Sequence, residues 1–324
     1  MASAGAKEQN PDMTTSAAPA PIRTEGLTKY YGKVHAIEGL DLEIERGEVF
    51  GFLGPNGAGK TTTIRALLHF VFPTRGRASI LGLDCVKDAV AIRRHIGYMP
   101  SEYALYPNLT GAECLRYYAN LRGGVDETEV TRLATRLDAD LSRKVSDLST
   151  GNRQKVALIA AFMNRPELLI LDEPSTGLDP LMQQELQGII RETSADGRTV
   201  FLSSHSLAEV ERVADRVGIL REGHLVVVER VDTLKRKAIR RLDLEFDGPV
   251  AADALAAVPG VRSVEAHGNS LSVTFEGSVN ALLRVALEHE VVNLNSREAD
   301  LEEIFLTYYR GDENGSGGGG PGAD

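Results

Sequence analysis

The chain has 324 residues, 42% hydrophobic and 25% charged, an ordinary globular composition that allows one or two domains. Its 46 acidic and 36 basic side chains leave a formal net charge of −10, which argues against a nucleic-acid partner, since such binding needs basic surface. Two cysteines, Cys85 and Cys114, are too few for a disulfide framework, and no apolar run is long enough to cross a bilayer as a helix.

Residues 1–21 are rich in Ala, Ser, Thr and Pro, without the apolar core of a signal peptide, and are expected to form a disordered leader. "LDLEIE" (40–45) alternates with period two and predicts a half-buried strand; "EVFGFLG" (48–54) predicts a buried one, and 62–71 a helix. The stretch from about 103 to 165 is mostly helical. Within it, "LTGAECLRYYANL" starts at Thr110 with Glu113 three positions on, a capping-box pattern. It reads as a helical insertion. "LLILDE" (168–173), "TVFLSS" (199–204) and "RVGILREGHLVVV" (216–228) are further strand candidates, with helices over 183–193 and 206–214 between them. Strands interleaved with helices predict an α/β domain over 22–235 with a mainly parallel sheet covered on both faces.

A second unit is expected over 240–310. "RLDLEF", "VRSVEAH", "LSVTF" and "VVNLN" read as strands; "VAADALAAV" and "VNALLRVALEH" read as helices. Their order, β-α-β-β-α-β, predicts a small α+β appendage of ferredoxin-like type. A closing helix, "READLEEIFLTYY", follows, and 311–324 is a tail too poor in apolar residues to pack.

Chemistry concentrates at three strand ends. Gly54-Pro55-Asn56-Gly57-Ala58-Gly59-Lys60-Thr61 fits G-x-x-x-x-G-K-[ST] between an apolar strand and a helix, and Thr62 continues that helix. A polyphosphate must lie against bare backbone N–H groups, which Gly57 and Gly59 leave open, and the helix start directs its dipole at the anion. Lys60 can reach the terminal phosphates and the Thr61 hydroxyl can hold Mg²⁺. A flexible glycine-rich turn with an incidental lysine is the competing reading, and the flanking strand and helix weigh against it. Asp172 and Glu173 end a buried strand, where charge is unfavourable without a partner. Asp172 can hold Mg²⁺ directly or through water, and Glu173 can polarise a water for in-line attack on the γ-phosphate. His205, after "TVFLSS", can position that water; taken alone, a solvated or helix-capping histidine explains it better. Ser149 and Gly151 open a second helix whose N-terminus suits phosphate.

Together these segments resemble the ATP-binding subunits of ABC transporters over about residues 22–228. "LSTGNRQKV" (148–156) is similar to the family's signature, keeping Ser149 and Gly151 but carrying Thr150 and Asn152 where Gly and Gln are commoner. The resemblance implies a P-loop NTPase core and two copies facing head to tail, each ATP held between one phosphate loop and the opposite signature. It implies that Tyr31 stacks on adenine, with Tyr30 as the fallback, and that Asp179 of "STGLD" contacts the opposite copy. It also implies a separate membrane permease and a place at the cytoplasmic face of the membrane. "LYPNLTG", "GNRQKV" and "DLEEIFLTYY" are similar to two-component exporters of drugs, antibiotics, lipids or polysaccharides. One departure stands out. The family places Gln after the proline of "GYMPSEY", where this chain has Ser101 and then Glu102. Either Glu102 takes over the metal contact, or water fills the gap, or metal coupling is weaker. A soluble ABC-type ATPase acting on DNA or ribosomes is the alternative, disfavoured by one phosphate loop, no sustained heptads and acidic charge.

Overall fold

Phe50, Phe52 and Phe201 are fully buried, and the Phe52 and Phe201 rings lie 5.3 Å apart. Strands with no solvent-facing side need cover on both faces, and the rest of the fold supplies it. The structure, a computed structural model, describes residues 18–237, 240–276 and 278–297. The leader up to residue 17, residues 298–309 of the expected closing helix and the tail 311–324 lie outside the described residues.

The first elements are β1 (Ile22–Tyr31), β2 (Val34–Ile44), β3 (Val49–Leu53), α1 (Lys60–Leu67), β4 (Arg75–Ile80), β5 (Leu83–Asp84), α2 (Ala89–His95) and β6 (Ile96–Met99). The helical insertion follows as α3 (Gly111–Leu121), α4 (Glu127–Arg136), a 3₁₀ turn (Val145–Asp147) and α5 (Thr150–Phe162). Then come β7 (Leu168–Asp172), α6 (Pro180–Ala195), β8 (Thr199–Ser204), α7 (Leu207–Val213), β9 (Arg216–Arg221), β10 (His224–Arg230) and α8 (Val231–Lys237). The last unit is β11 (Arg240–Phe246), α9 (Ala252–Ala256), β12 (Val261–His267), β13 (Ser270–Phe275), α10 (Asn280–Ala286) and β14 (Val291–Arg297).

Six strands form the main sheet in the order β10-β9-β3-β8-β7-β6, parallel from β9 to β6. Alternate residues feed two cores. Val49 and Leu53 of β3 join Leu169 and Leu171 of β7 under α3 to α7, while Phe50 and Phe52 join Leu168 and Ile170 on the other face. α1, α2 and a second, antiparallel sheet in the order β2-β1-β4-β5 close that other face. The mainly parallel sheet is therefore present, with an antiparallel layer that periodicity did not announce. The reason is visible in β1, whose pairing with β2 shifts register three times and so breaks the two-residue alternation.

Local chemistry moves some boundaries. α1 starts at Lys60, earlier than expected, because Gly59 caps it; it stops at Leu67, and His69 follows with φ 54°. The 216–228 run is a hairpin, turned at Glu222 (φ 48°) and Gly223 (φ 83°), the paired positive angles of a tight two-residue turn. The capping box forms: Glu113 N–H donates to Thr110 Oγ1 (3.2 Å) and Thr110 N–H to Glu113 Oε2 (2.8 Å). In the last unit, β12-β13-β11-β14 form an antiparallel sheet with two helices, the ferredoxin-like order.

Candidate functional site

β3, β8 and β7 lie side by side and parallel, so their carboxyl ends open on one edge of the sheet, the edge where α/β folds bind ligands. After Leu53 the chain turns through 54–59 into α1. Gly59 caps that helix at φ 111°, and a Cβ there would stand 2.3 Å from the Ala36 carbonyl oxygen. Both the angle and the space demand glycine. The turn leaves the unpaired first N–H groups of α1 beside the loop. Lys60, only 6% exposed, curls back and donates from Nζ to the carbonyls of Gly54 (2.6 Å) and Pro55 (3.2 Å).

Asp172 ends β7 fully buried. Its carboxylate is satisfied by two hydroxyls: Thr61 Oγ1 donates to Oδ2 at 3.0 Å and Ser203 Oγ to Oδ1 at 2.5 Å. Glu173 stands next with φ 53°, a left-handed conformation costing a non-glycine residue roughly 1–2 kcal/mol. Its N–H is held by the Ser203 carbonyl (3.2 Å) and hydroxyl (3.1 Å), which over-determine the backbone. Glu173 Oε2 lies 2.8 Å from His205 Nδ1. Its Oε1 is buried with no hydrogen bond, although Lys60 Nζ stands 3.2 Å away, near enough for charge attraction but out of line for a bond. Lys60, Thr61, Asp172, Glu173 and His205 thus form one connected group.

In front of them lies a cleft of about 310 Å³ walled by loop residues Asn56, Gly57, Gly59 to Thr62, by Ser101 and Glu173, and by Val34, His35 and Ala36. Ala58 is buried behind the wall, and its carbonyl accepts a bond from Gly223 N–H at 2.9 Å. Gly54, also behind it, supplies the carbonyl that holds Lys60.

Other expected residues stand elsewhere. Ser101 is in the cleft wall; Glu102 is exposed and outside it. Tyr31 is exposed, also outside the wall, with Lys29 Nζ 4.9 Å above its ring. Tyr30 stacks on His35 at 4.1 Å. Ser149 caps α5, accepting from Asn152 N–H at 3.2 Å, and lies outside the wall. Asn152 braces the loop before α5 through two bonds with the Asp140 backbone, 2.9 and 2.7 Å. A Cβ on Gly151 would sit 3.4 Å from the Gly177 carbonyl oxygen, so α5 starts against the loop that follows Glu173. Asp179 caps α6, accepting from Leu181 and Met182 N–H at 3.0 and 3.1 Å. Sequence reasoning missed Ser203, His35 and Gln154, whose Nε2 donates to the Pro174 carbonyl at 2.6 Å. Ser203, the next-to-last residue of β8, shows itself only through its bonds to Asp172 and Glu173 on the neighbouring strand.

The oxygen donors suit a phosphate-bound divalent cation. Thr61 and Asp172 offer hard oxygens at one point, as Mg²⁺ prefers, and Glu173 Oε1 is an orphan beside them.

Residues 37–176 match the ABC transporter family model. The chain is 33% identical over 291 residues to the bacitracin transport ATP-binding protein BcrA of Enterococcus faecalis, covering 88% of this chain and 94% of that one. It belongs to the ABC transporter family as an ATP-binding subunit. This ABC subunit is also 36% identical over 305 residues to the daunorubicin resistance ATP-binding protein DrrA3 of Streptomyces coeruleorubidus, covering 88% and 94% of the two chains. A solved ATP-binding subunit of an ABC transporter shares its fold with a TM-score of 0.61 and 35% identity, over 66% of this chain and 92% of that one. The ABC subunit is therefore an ATPase, similar over most of its length to proteins named for bacitracin transport and daunorubicin resistance. No described helix is long and apolar enough to cross a membrane.

Proposed function

We propose that this cleft takes ATP with Mg²⁺, that a second copy of the chain completes it, and that the cycle drives a separate permease exporting an antibiotic or drug. The observation that carries the reading is the convergence of Lys60, Thr61, Asp172, Glu173 and His205 at three adjacent strand ends. Mg²⁺, held by Thr61 and Asp172, would neutralise charge on the phosphate oxygens. Lys60 and the open N–H groups of α1 bind the phosphates. Glu173 accepts a proton from the attacking water, and His205, on its other oxygen, fixes the direction in which it points. Among the described residues Lys60 is partnered by Glu173 and the loop carbonyls, so arriving phosphate takes the ammonium and frees the carboxylate for its base role.

The second copy is supported by Ser149. It starts the 13-residue helix α5, is exposed, and lies outside this chain's own cleft, so that anion-favouring terminus suits a neighbour's phosphate. Asp179, which caps α6 just after the Gly177 that packs on α5, would belong to the same contact.

The permease reading rests on a groove of about 540 Å³ beside the helical insertion. Tyr98, Tyr103, Tyr118, Arg93, Arg94 and Arg122 line it, and among the described residues no acidic one does. Desolvation holds the Arg122 guanidinium below its ordinary value. In a chain of net charge −10, such a groove suits an amphipathic segment bearing carboxylates. Tyr98 sits on β6, paired beside β7; burial first, then the charge of Asp172, pushes its phenol up to about 12. One strand separates the groove from the magnesium carboxylate. Membrane attachment at the cytoplasmic face then comes through the permease. The relatives, named for bacitracin transport and daunorubicin resistance, support export over action on DNA or ribosomes.

The test is Glu173→Gln. ATP binding by equilibrium titration is expected to persist while turnover falls about 10²–10⁴-fold. Normal turnover would remove Glu173 as the base.

A further inference from the structure

β8 runs between β3 and β7 and ends in Ser203 and Ser204, both fully buried, with His205 next. Its backbone is bound to both neighbours. The Ser204 carbonyl accepts from Gly54 N–H at 3.2 Å on the side of the phosphate loop, and the Ser203 carbonyl accepts from Glu173 N–H at 3.2 Å on the other. A strand sends alternate side chains to opposite faces, and the two serines divide accordingly. Ser204 turns to α7, where its hydroxyl donates to Glu209 Oε2 at 2.9 Å and accepts from Ser206 N–H at 2.9 Å. Ser203 is the register partner of Asp172 on β7 and turns to it. His205, two residues on, meets the Glu173 carboxylate, while Ser203 meets the Glu173 backbone. One strand end thus grips the base at both ends.

The Ser203 hydroxyl has one proton, and its partners leave one arrangement for it. A backbone N–H can only donate and a carboxylate can only accept. Ser203 Oγ therefore donates to Asp172 Oδ1 at 2.5 Å and accepts from Glu173 N–H at 3.1 Å. With Thr61 Oγ1 on Oδ2 at 3.0 Å, both oxygens of the buried Asp172 carboxylate are held and its rotation is fixed. The same Ser203 oxygen steadies the left-handed backbone of Glu173 (φ 53°), a conformation that persists only where the surroundings hold it. A methyl group in place of the hydroxyl leaves Asp172 Oδ1 without its donor in a closed site and removes one of the two acceptors of Glu173 N–H.

We propose that Ser203 is a positioning residue for hydrolysis, its hydroxyl fixing the metal-binding carboxylate of Asp172 and the base Glu173 at one mutual distance. It rests on the cleft taking ATP with Mg²⁺ at Thr61 and Asp172. Ser203 is fully buried and lies outside the cleft wall, so it acts through these two residues and not on the nucleotide. ATP affinity without metal comes from Lys60 and the open N–H groups of α1, which Ser203 does not touch. Its effect therefore falls on the placement of Mg²⁺ relative to the attacking water, where a misplacement of about 1 Å costs on the order of a hundredfold in rate. A residue that only held β8 in place would act on stability and on ATP binding together.

The experiment uses the full chain and its Ser203→Ala, Ser203→Val and Ser203→Thr variants, with Asp172→Asn as a control for the cleft. It measures kcat and KM for ATP at saturating Mg²⁺, the Mg²⁺ concentration for half-maximal rate, and ATP affinity by equilibrium titration with Mg²⁺ and with EDTA. Ser203→Ala and Ser203→Val are expected to lower kcat about 10–100-fold with KM unchanged. They should also raise the Mg²⁺ requirement and shrink the affinity gained on adding Mg²⁺, while the titration in EDTA stays unchanged. Threonine and valine share a shape and differ by the hydroxyl. Recovery in Ser203→Thr and not in Ser203→Val therefore assigns the effect to the bond, even if the larger side chain or the alanine disturbs packing. Equal loss in these two variants overturns the proposal, as does a normal kcat and Mg²⁺ requirement in Ser203→Ala, or weakened binding in EDTA. An Asp172→Asn protein whose ATP affinity still rises normally with Mg²⁺ would instead overturn the magnesium assignment of the cleft itself.

Discussion

The carboxyl edge of the main sheet and the C-terminal sheet are both regular α/β constructions, yet they treat polar groups in opposite ways. The first buries Lys60, Asp172, Ser175, Ser203 and Ser204 and holds Glu173 at a left-handed angle. Among its described residues, the unit 240–297 buries no polar or charged side chain, and no non-glycine residue there has positive φ. Its core, built on Leu242, Leu244, Phe246, Leu271, Val273 and Phe275, is apolar throughout. Buried charge and strained backbone are unfavourable for stability, so their meeting at one edge, at Lys60, Asp172 and Glu173, marks where chemistry outweighs folding.

Gly59→Ala probes the contrast most severely. The new Cβ meets the Ala36 carbonyl and the backbone angle is forbidden to alanine, so the phosphate loop must change shape. ATP binding is expected to be lost in an equilibrium titration while the main fold persists by circular dichroism; normal affinity would show that the loop geometry is not required.

Leu244→Ala makes the reciprocal change. Leu244 is fully buried in the C-terminal core, and such truncations cost about 2–5 kcal/mol. Hydrogen exchange over 240–297 is expected to accelerate with KM for ATP unchanged. A raised KM would mean that the two regions are coupled.

The C-terminal unit was the more legible of the two as structure. Clean alternation in "RLDLEF" and "LSVTF" matches Leu242, Leu244 and Phe246, and Leu271, Val273 and Phe275, because a sheet with one buried face imposes period two. It is silent as chemistry for the same reason. At the cleft the motif residues were readable, since Lys60 closes a glycine-rich pattern and Asp172 and Glu173 end an apolar run. What was not readable is who holds them. Ser203 serves Asp172 and Glu173 across a strand, and His35 reaches the cleft only because β2 folds back on Gly59. Both are long-range contacts without local pattern. The antiparallel sheet was hidden by the bulges of β1.

A smaller effect comes from charge that is structural. Arg136 on α4 bonds Glu185 and Glu192 of α6, each at 2.5 Å, and Arg132 bonds Glu129 at 2.8 Å. The bond from Arg136 holds the Glu192 carboxyl below its ordinary 4.5, and that from Arg132 does the same for Glu129. A carboxyl held low binds fewer protons folded than unfolded. Its contribution is complete above 4.5 and fades as pH falls through the lowered value. Arg136→Ala should therefore cost up to about 1 kcal/mol at neutral pH, discounted for solvent exposure, and progressively less in acid. Denaturant titrations of both proteins at neutral and acid pH measure the gap; a gap that widened in acid would assign the clamp to packing and not to charge.

The most direct measurement of the central claim is the mass of full-length Glu173→Gln by sedimentation, with and without ATP and Mg²⁺. A cleft completed by a second copy predicts a monomer that becomes a stable dimer when nucleotide is added. A variant that binds ATP and stays monomeric would contradict it.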